Sequence, residues 1–279
     1  MKNYTLCLYE KAMPDISWVE KLSIAKECGF DAVEISIDES DGKLSRLTSE
    51  ENIREIEAAM AITGVPILTM CLSGHRRYPL GSKDSAVRAR SLEIMKAAVA
   101  LACRLGIRII QLAGYDVYYE EGDEETRALF FENLKLAVEM AAAQGVCLGF
   151  ETMETPFMDT VEKSMFYVNA ISSPYLGIYP DIGNLKNAAT KYGGDVNLDL
   201  SLGKGHIFAA HLKETKVGLY RDMLFGQADG HTEYEKNLSE LLSQGVRLFT
   251  AEFWYHGEEN YLENIKHASA FLREKIENA

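Results

Sequence analysis

Eight times along the chain, a short run rich in β-branched and apolar residues gives way to an amphipathic helical stretch. The strand-like runs are Tyr4–Leu8, Ala32–Ser36, Pro66–Cys71, Ile107–Leu112, Val146–Glu151, Leu176–Asp181, Ile207–His211 and Leu248–Glu252. Helical patterns follow at Ser17–Cys28, Ser49–Thr63, Lys83–Leu105, Glu124–Gln144 and Val161–Ile171, weakly at Asn197–Gly203, then at Glu233–Ser243 and Asn260–Glu277. Gly29, Gly64, Gly106 and Gly145 stand just past the first four, where a left-handed residue ends a helix. Strands separated by helices pair in parallel, and eight of them can close into a barrel. An open doubly wound sheet instead begins with a glycine-rich turn after its first strand. Here that strand runs into Tyr9-Glu10-Lys11-Ala12. With no linker-like stretch in the chain, the expectation is a single-domain (β/α)8 TIM barrel of the α/β class over residues 1–279.

A chain of 279 residues buries a large core without staples. Its net charge of −13 argues against a nucleic-acid partner, which calls for a basic face. No apolar run approaches the ~20 residues of a membrane span, and the N-terminus lacks the apolar stretch of a signal peptide. Five cysteines, an odd number without a C-x-x-C pair, read as buried free thiols in a reducing compartment. The chain thus reads as a cytoplasmic protein acting on small molecules, with no membrane partner and a homodimer as its default assembly.

Barrel active sites are built from residues at the C-terminal ends of the strands. The runs from the fifth to the eighth end in Glu151, Asp181, His211 and Glu252. A single acidic strand end is as readily an ion-pair partner as a ligand. Four in succession, converging on one rim, would leave buried carboxylates uncompensated without a cation. Three carboxylates and an imidazole suit one divalent ion: Mn²⁺, Mg²⁺, Co²⁺ or Zn²⁺. An ion at a sugar carbonyl acidifies the adjacent C–H. Because the fifth and eighth strands are not adjacent, Glu151 and Glu252 would flank the ion from opposite sides. That placement makes them the candidate catalytic pair and allows inversion at carbon; one carboxylate on one face would favour aldose–ketose isomerisation.

Several segments carry a family likeness: Tyr9-Glu10-Lys11-Ala12, SGHRRYPLGS from Ser73, VRARSLEIM from Val87, IQLAGYDVYYE from Ile110, YPDIGNL from Tyr179 and HLKETKVG from His211. In these the chain resembles the L-ribulose-5-phosphate (L-xylulose-5-phosphate) 3-epimerases of L-ascorbate and related pentose catabolism, within the xylose-isomerase-like TIM barrel superfamily. The resemblance implies that Glu151, Asp181, His211 and Glu252 hold the metal and that the two glutamates are the acid–base pair. It also implies a small phosphorylated ketose as substrate, with L-xylulose 5-phosphate and L-ribulose 5-phosphate interconverted through an enediolate. His75 then faces the substrate and Arg76 its phosphate, which guanidinium geometry matches. Lys213 shares a strand face with His211 and points the same way, and Asn184 is placed to meet a sugar hydroxyl. Lys216 is a weaker candidate. Two departures stand out: Gln227 where the family has an acid, and an extra stretch near Thr190–Asp195 (KYGGD) that should lengthen a loop.

Other readings stay open at this level. One is another ketose 3-epimerase, or a sugar-phosphate isomerase such as a hexulose-6-phosphate isomerase. Another is a non-catalytic sugar-phosphate-binding protein. Asp229-Gly230-His231 partly matches the endonuclease IV DNA-repair barrels, but Asn184, Gln111 and Tyr115 stand where those carry further histidines, and the acidic charge opposes DNA. His231 then reads as the entry to the next helix. His206, at the wrong end of its strand, reads as structural. Tyr115, Tyr118 and Tyr119 wall the pocket or cap a loop, Glu10 and Glu34 line it or form ion pairs, and Trp254 packs over it.

Overall fold

The computed structural model describes residues 3–279. Its eight strands are β1 (Thr5–Tyr9), β2 (Ala32–Ile37), β3 (Ile67–Leu72), β4 (Ile109–Ala113), β5 (Cys147–Glu151), β6 (Leu176–Ile178), β7 (Ala210–Leu212) and β8 (Leu248–Ala251). The helices are α1 (Trp18–Glu27), α2 (Asp41–Ser45), α3 (Glu50–Thr63), α4 (Ser85–Leu105), α5 (Glu124–Ala142), α6 (Val161–Ile171), α7 (Ile182–Tyr192), α8 (Val196–Leu202), α9 (Tyr234–Ser243) and α10 (Tyr261–Glu277). Local chemistry sets several ends. Ser17 and Glu20 form a capping box on α1, Asp123 and Thr126 one on α5, and Gly64 and Gly106 close α3 and α4 in the left-handed conformation.

All strand pairs are parallel, in the order β6-β5-β4-β3-β2-β1-β8-β7. The two ends of that row meet through the parallel bridges Ile178↔Ile207 and Asp181↔His211. There Phe208 N–H donates to the Ile178 carbonyl and His211 N–H to the Pro180 carbonyl, each at 2.9 Å. The sheet is therefore a closed TIM barrel.

The two-residue period of a strand divides the side chains into two layers. Leu8, Ile35, Met70, Ile110, Phe150, Ile178, Leu212 and Phe249 belong to the main apolar cluster with the helices. Each such buried side chain contributes roughly 1.5–3 kcal/mol. The alternate positions fill the barrel. Ile109, Tyr179 and Ala209 form a small apolar plug. Glu34, Thr69, Gln111, His211 and Thr250 form a buried polar layer around it. Gly149 leaves room for Tyr179, whose Cβ would lie 3.0 Å from an added methyl.

The strand–helix alternation read from the sequence is present, with local corrections. β6 stops at Ile178 rather than Asp181. Pro180 has no N–H to continue a ladder, and Asp181 instead caps α7, its carboxylate accepting from Asn184 N–H. α7 itself was not expected, because Gly183, Asn184 and Asn187 weaken the helical pattern. The KYGGD stretch, expected to lengthen a loop, largely finishes α7: Lys191 and Tyr192 are helical and Gly193 is the left-handed cap. β7 begins at Ala210, with Ile207 contributing only a bridge. The five cysteines are free, but Cys103 is exposed and Cys147 half-buried, so the buried-thiol expectation fits Cys7, Cys28 and Cys71. Among the described residues, no helix is long and apolar enough to cross a membrane.

Candidate active site

Glu151 is the last residue of β5, Asp181 caps α7, His211 lies in β7 and Glu252 follows β8. One ligand-type atom from each lies within 4.8 Å of the others, and all four side chains are buried. His211 Nδ1 stands 3.0 Å from Glu252 Oε2 and 3.7 Å from Glu151 Oε1. Its other ring nitrogen, Nε2, stands 2.7 Å from Glu34 Oε1. The amide nitrogen of Gln111 lies over the ring, 3.1 Å from Nε2. Lys213 Nζ is 2.7 Å from Asp181 Oδ2 and 3.3 Å from Glu252 Oε2.

This charge set is unbalanced. Glu34, Glu151, Asp181 and Glu252 face one buried ammonium and one imidazole. Burial pushes the Asp181 carboxyl up, although Lys213 opposes the shift, and Glu252 beside it adds to the rise. For Glu252 burial acts in the same sense, yet Lys213 and His211 outweigh it and hold the carboxyl well below its ordinary value. Burial would lower His211, but Glu34 and Glu252 raise it well above the ordinary imidazole value. Asp181 Oδ2 and Glu252 Oε2 are buried and accept no hydrogen bond of good geometry. A compact donor set of three carboxylates and an imidazole, with underused oxygens and excess negative charge, fits a divalent cation.

Above the cluster lies a narrow cavity lined by Tyr9, Lys11, Arg76, Asn184, Arg221 and Trp254, among others, with Glu151, Lys213 and Glu252 at its base. Lys213 and Glu252 are 4% and 5% exposed, whereas Lys11 and Arg221 are 26% and 39% exposed, so these two cations stand toward the mouth. Arg76 Nε is buried without an acceptor, and its guanidinium lies over the Tyr118 ring at 5.1 Å. Arg221 meets Glu154 at 3.2 Å across the opening, and Tyr118 donates to the same carboxylate. The site is acidic at its floor and largely basic at its rim, on a protein that is strongly acidic overall.

Comparison with known proteins places this geometry. A family model described as a xylose isomerase-like TIM barrel matches residues 22–275. The L-ribulose-5-phosphate 3-epimerase UlaE of Salmonella paratyphi A is 41% identical over 281 residues, covering 100% of this chain and 97% of that one. The protein of the same name from Salmonella heidelberg is as similar, with the same coverage. The chain belongs to the L-ribulose-5-phosphate 3-epimerase family. That is a family of isomerases. A solved L-ribulose 3-epimerase shares the fold with a TM-score of 0.77 at 20% identity, covering 98% of this chain and 95% of that one. A D-psicose 3-epimerase does so at 0.80 and 14%, covering 99% and 100%.

Within this epimerase-family barrel, Glu151, Asp181, His211, Glu252, Lys213, Asn184 and Arg76 are brought to one place. Asn184, a residue of the cavity lining, donates through Nδ2 to the Thr152 carbonyl at 2.8 Å, while its Oδ1 is buried with no donor. His75 is placed elsewhere. It is buried, its Nε2 meets the Ser91 carbonyl at 3.3 Å, and it does not line the cavity. Glu10 also leaves the pocket and takes three cations, Lys21, Lys43 and Arg46. Lys216 pairs with Asp229 at 2.8 Å, and His231 meets the Thr215 hydroxyl, so the Asp229-Gly230-His231 motif stands apart from the cluster. Gln227 is exposed in a turn, outside the cavity lining. Tyr9 and Lys11 stand in a segment that carries the family likeness but had no site role from the sequence, and Arg221 had none either. Arg221 sits in a long irregular segment between β7 and α9, where periodicity gives no orientation.

Proposed function

We propose that the protein is a metal-dependent 3-epimerase that interconverts L-xylulose 5-phosphate and L-ribulose 5-phosphate, with residues 1–279 acting as one barrel domain. The observation that carries this reading is the buried four-residue cluster, which brings two glutamates from non-adjacent strands close enough to hold one cation together. Glu151, Asp181, His211 and Glu252 would hold the ion. A divalent ion there supplies Lewis-acid polarisation of the ketose carbonyl, which acidifies the neighbouring C3–H bond.

One carboxylate of the Glu151/Glu252 pair takes the C3 proton, leaving the substrate as an enediolate. The other, which enters the step as the carboxylic acid, gives its proton to the opposite face and is left as the carboxylate; this inverts C3 and exchanges the protonation of the pair. The Lys213 ammonium, held beside Asp181 and Glu252, adds fixed positive charge where negative charge develops. Asn184 offers its free Oδ1 to a sugar hydroxyl. Arg76, with an unused N–H and a place on the cavity wall, binds the phosphate, with Lys11 and Arg221 adding positive charge. Trp254 and Tyr9 shield the reacting carbon from water.

The test is isotope exchange. The wild-type protein loaded with a divalent ion should exchange the C3 hydrogen of L-ribulose 5-phosphate with solvent deuterium while forming L-xylulose 5-phosphate. Exchange at C1 with aldose formation would contradict the reading in favour of an aldose–ketose isomerase. Tight binding without turnover of any pentulose phosphate would leave a binding protein.

A further inference from the structure

Beneath the cluster lies a fourth carboxylate that does not border the cavity. Glu34, on β2, is fully buried, three strands around the barrel from β7. Its Oε1 stands 2.7 Å from His211 Nε2. Its Oε2 accepts from the Thr69 hydroxyl at 2.7 Å and the Tyr179 hydroxyl at 3.0 Å. The Tyr179 oxygen is itself 2.6 Å from the Thr250 hydroxyl. Donors from β3, from the residue after β6 and, through Tyr179, from β8 therefore fix this carboxylate. The His211 ring has one nitrogen toward Glu34 and the other toward Glu151 and Glu252, so its orientation is determined by both edges.

We propose that Glu34 is the positioning residue of the metal centre: it accepts the Nε2–H of His211 and so presents the bare Nδ1 to a divalent ion shared with Glu151, Asp181 and Glu252. This inference rests on the metal-dependent reading above. A carboxylate holding the far N–H of a ligand imidazole fixes the tautomer and ring angle and makes the other nitrogen a better donor. A side chain needed only to fill the barrel would not bring a fourth carboxyl group, held by three separate partners, into a fully buried layer beside three others.

The test compares metal-free wild type, Glu34→Gln and Tyr179→Phe by calorimetric titration with Mn²⁺ and by thermal unfolding in chelator. Glu34→Gln is nearly isosteric. It should weaken Mn²⁺ binding about 10–100-fold while the metal-free variant still unfolds in one cooperative transition. Tyr179→Phe should weaken Mn²⁺ binding several-fold in the same sense. In histidine-labelled wild type loaded with Zn²⁺, the ¹⁵N spectrum should show the His211 proton on Nε2. A Glu34→Gln dissociation constant within twofold of wild type overturns the proposal, as does a lowered metal-free melting temperature with unchanged affinity. A wild-type protein that binds no Mn²⁺ overturns the metal reading together with it, so the two failures are distinguishable.

Discussion

Asp181 and His211 are bridge partners across the seam where β6 and β7 close the barrel. Both side chains belong to the four-residue cluster above that seam. Closure of the fold and assembly of the site are thus one structural event, and whatever binds the cluster also holds the seam.

Ion removal should therefore destabilise as well as inactivate. A chelator is expected to abolish turnover and lower the melting temperature, with Mn²⁺ restoring both. At about a thousand times its dissociation constant the ion should add about 4 kcal/mol. Scanning calorimetry with and without chelator measures this, and identical melting curves would contradict a bound ion.

The seam also depends on Gly177. A Cβ there would collide with the His206 carbonyl and stand 2.6 Å from the Phe208 ring. Gly177→Ala should cost roughly 1–3 kcal/mol of overpacking and weaken metal binding as the seam opens. Urea unfolding of the two proteins reads the first effect and Mn²⁺ titration the second.

Phosphate selectivity is expected to lie with Arg76. Arg76→Lys keeps the charge but loses the planar fork, so kcat/KM for L-ribulose 5-phosphate should fall about tenfold or more. Turnover of unphosphorylated L-ribulose should change little. Equal losses on both sugars would place Arg76 outside phosphate recognition.

Acid stability should carry two separate signatures. Burial pushes the His75 imidazole down to about 4 from 6.5, with the Ser91 carbonyl opposing weakly. Between those values the unfolded chain holds a proton that the folded chain rejects, so stability is full above pH 6.5 and falls toward pH 4. At 1.36 kcal/mol per unit, the loss is roughly 3 kcal/mol. His75→Gln, which can still donate to the Ser91 carbonyl, should flatten this limb. For Glu10, burial alone would raise the carboxyl, but Arg46, Lys43 and Lys21 outweigh it and bring it to about 2 from 4.5. Its contribution is present above pH 4.5 and lost between 4.5 and 2. Chemical unfolding across this range separates the two, and an unchanged limb in His75→Gln would contradict the first.

Much of this architecture was legible because two periods dominate the chain. Strand ends at Glu151, His211 and Glu252 follow from alternation, and those residues do meet. Asp181 was placed correctly for the wrong local reason: it caps a helix rather than ending a strand, a distinction hidden by Pro180 and the weak helix formers after it. His75 was assigned to the substrate chiefly through the family likeness, which does not say which residues of the SGHRR run face inward. Only the turn after β3 decides that Arg76 faces the cavity while His75 faces α4. Glu34 was visible as a strand residue, but its contact with His211 spans 177 positions, and no local pattern encodes that distance.

Proton transfer by Glu151 and Glu252 on opposite faces of one substrate carbon is the step on which the proposed epimerisation turns. It is tested most directly by following the C3 hydrogen of L-ribulose 5-phosphate in D₂O with Mn²⁺-loaded wild type, Glu151→Gln and Glu252→Gln. C3 exchange with epimer formation is expected in wild type, with a loss of epimer formation of about 10²–10⁴-fold or more in each variant. Wild-type rates of epimer formation in either variant would contradict it.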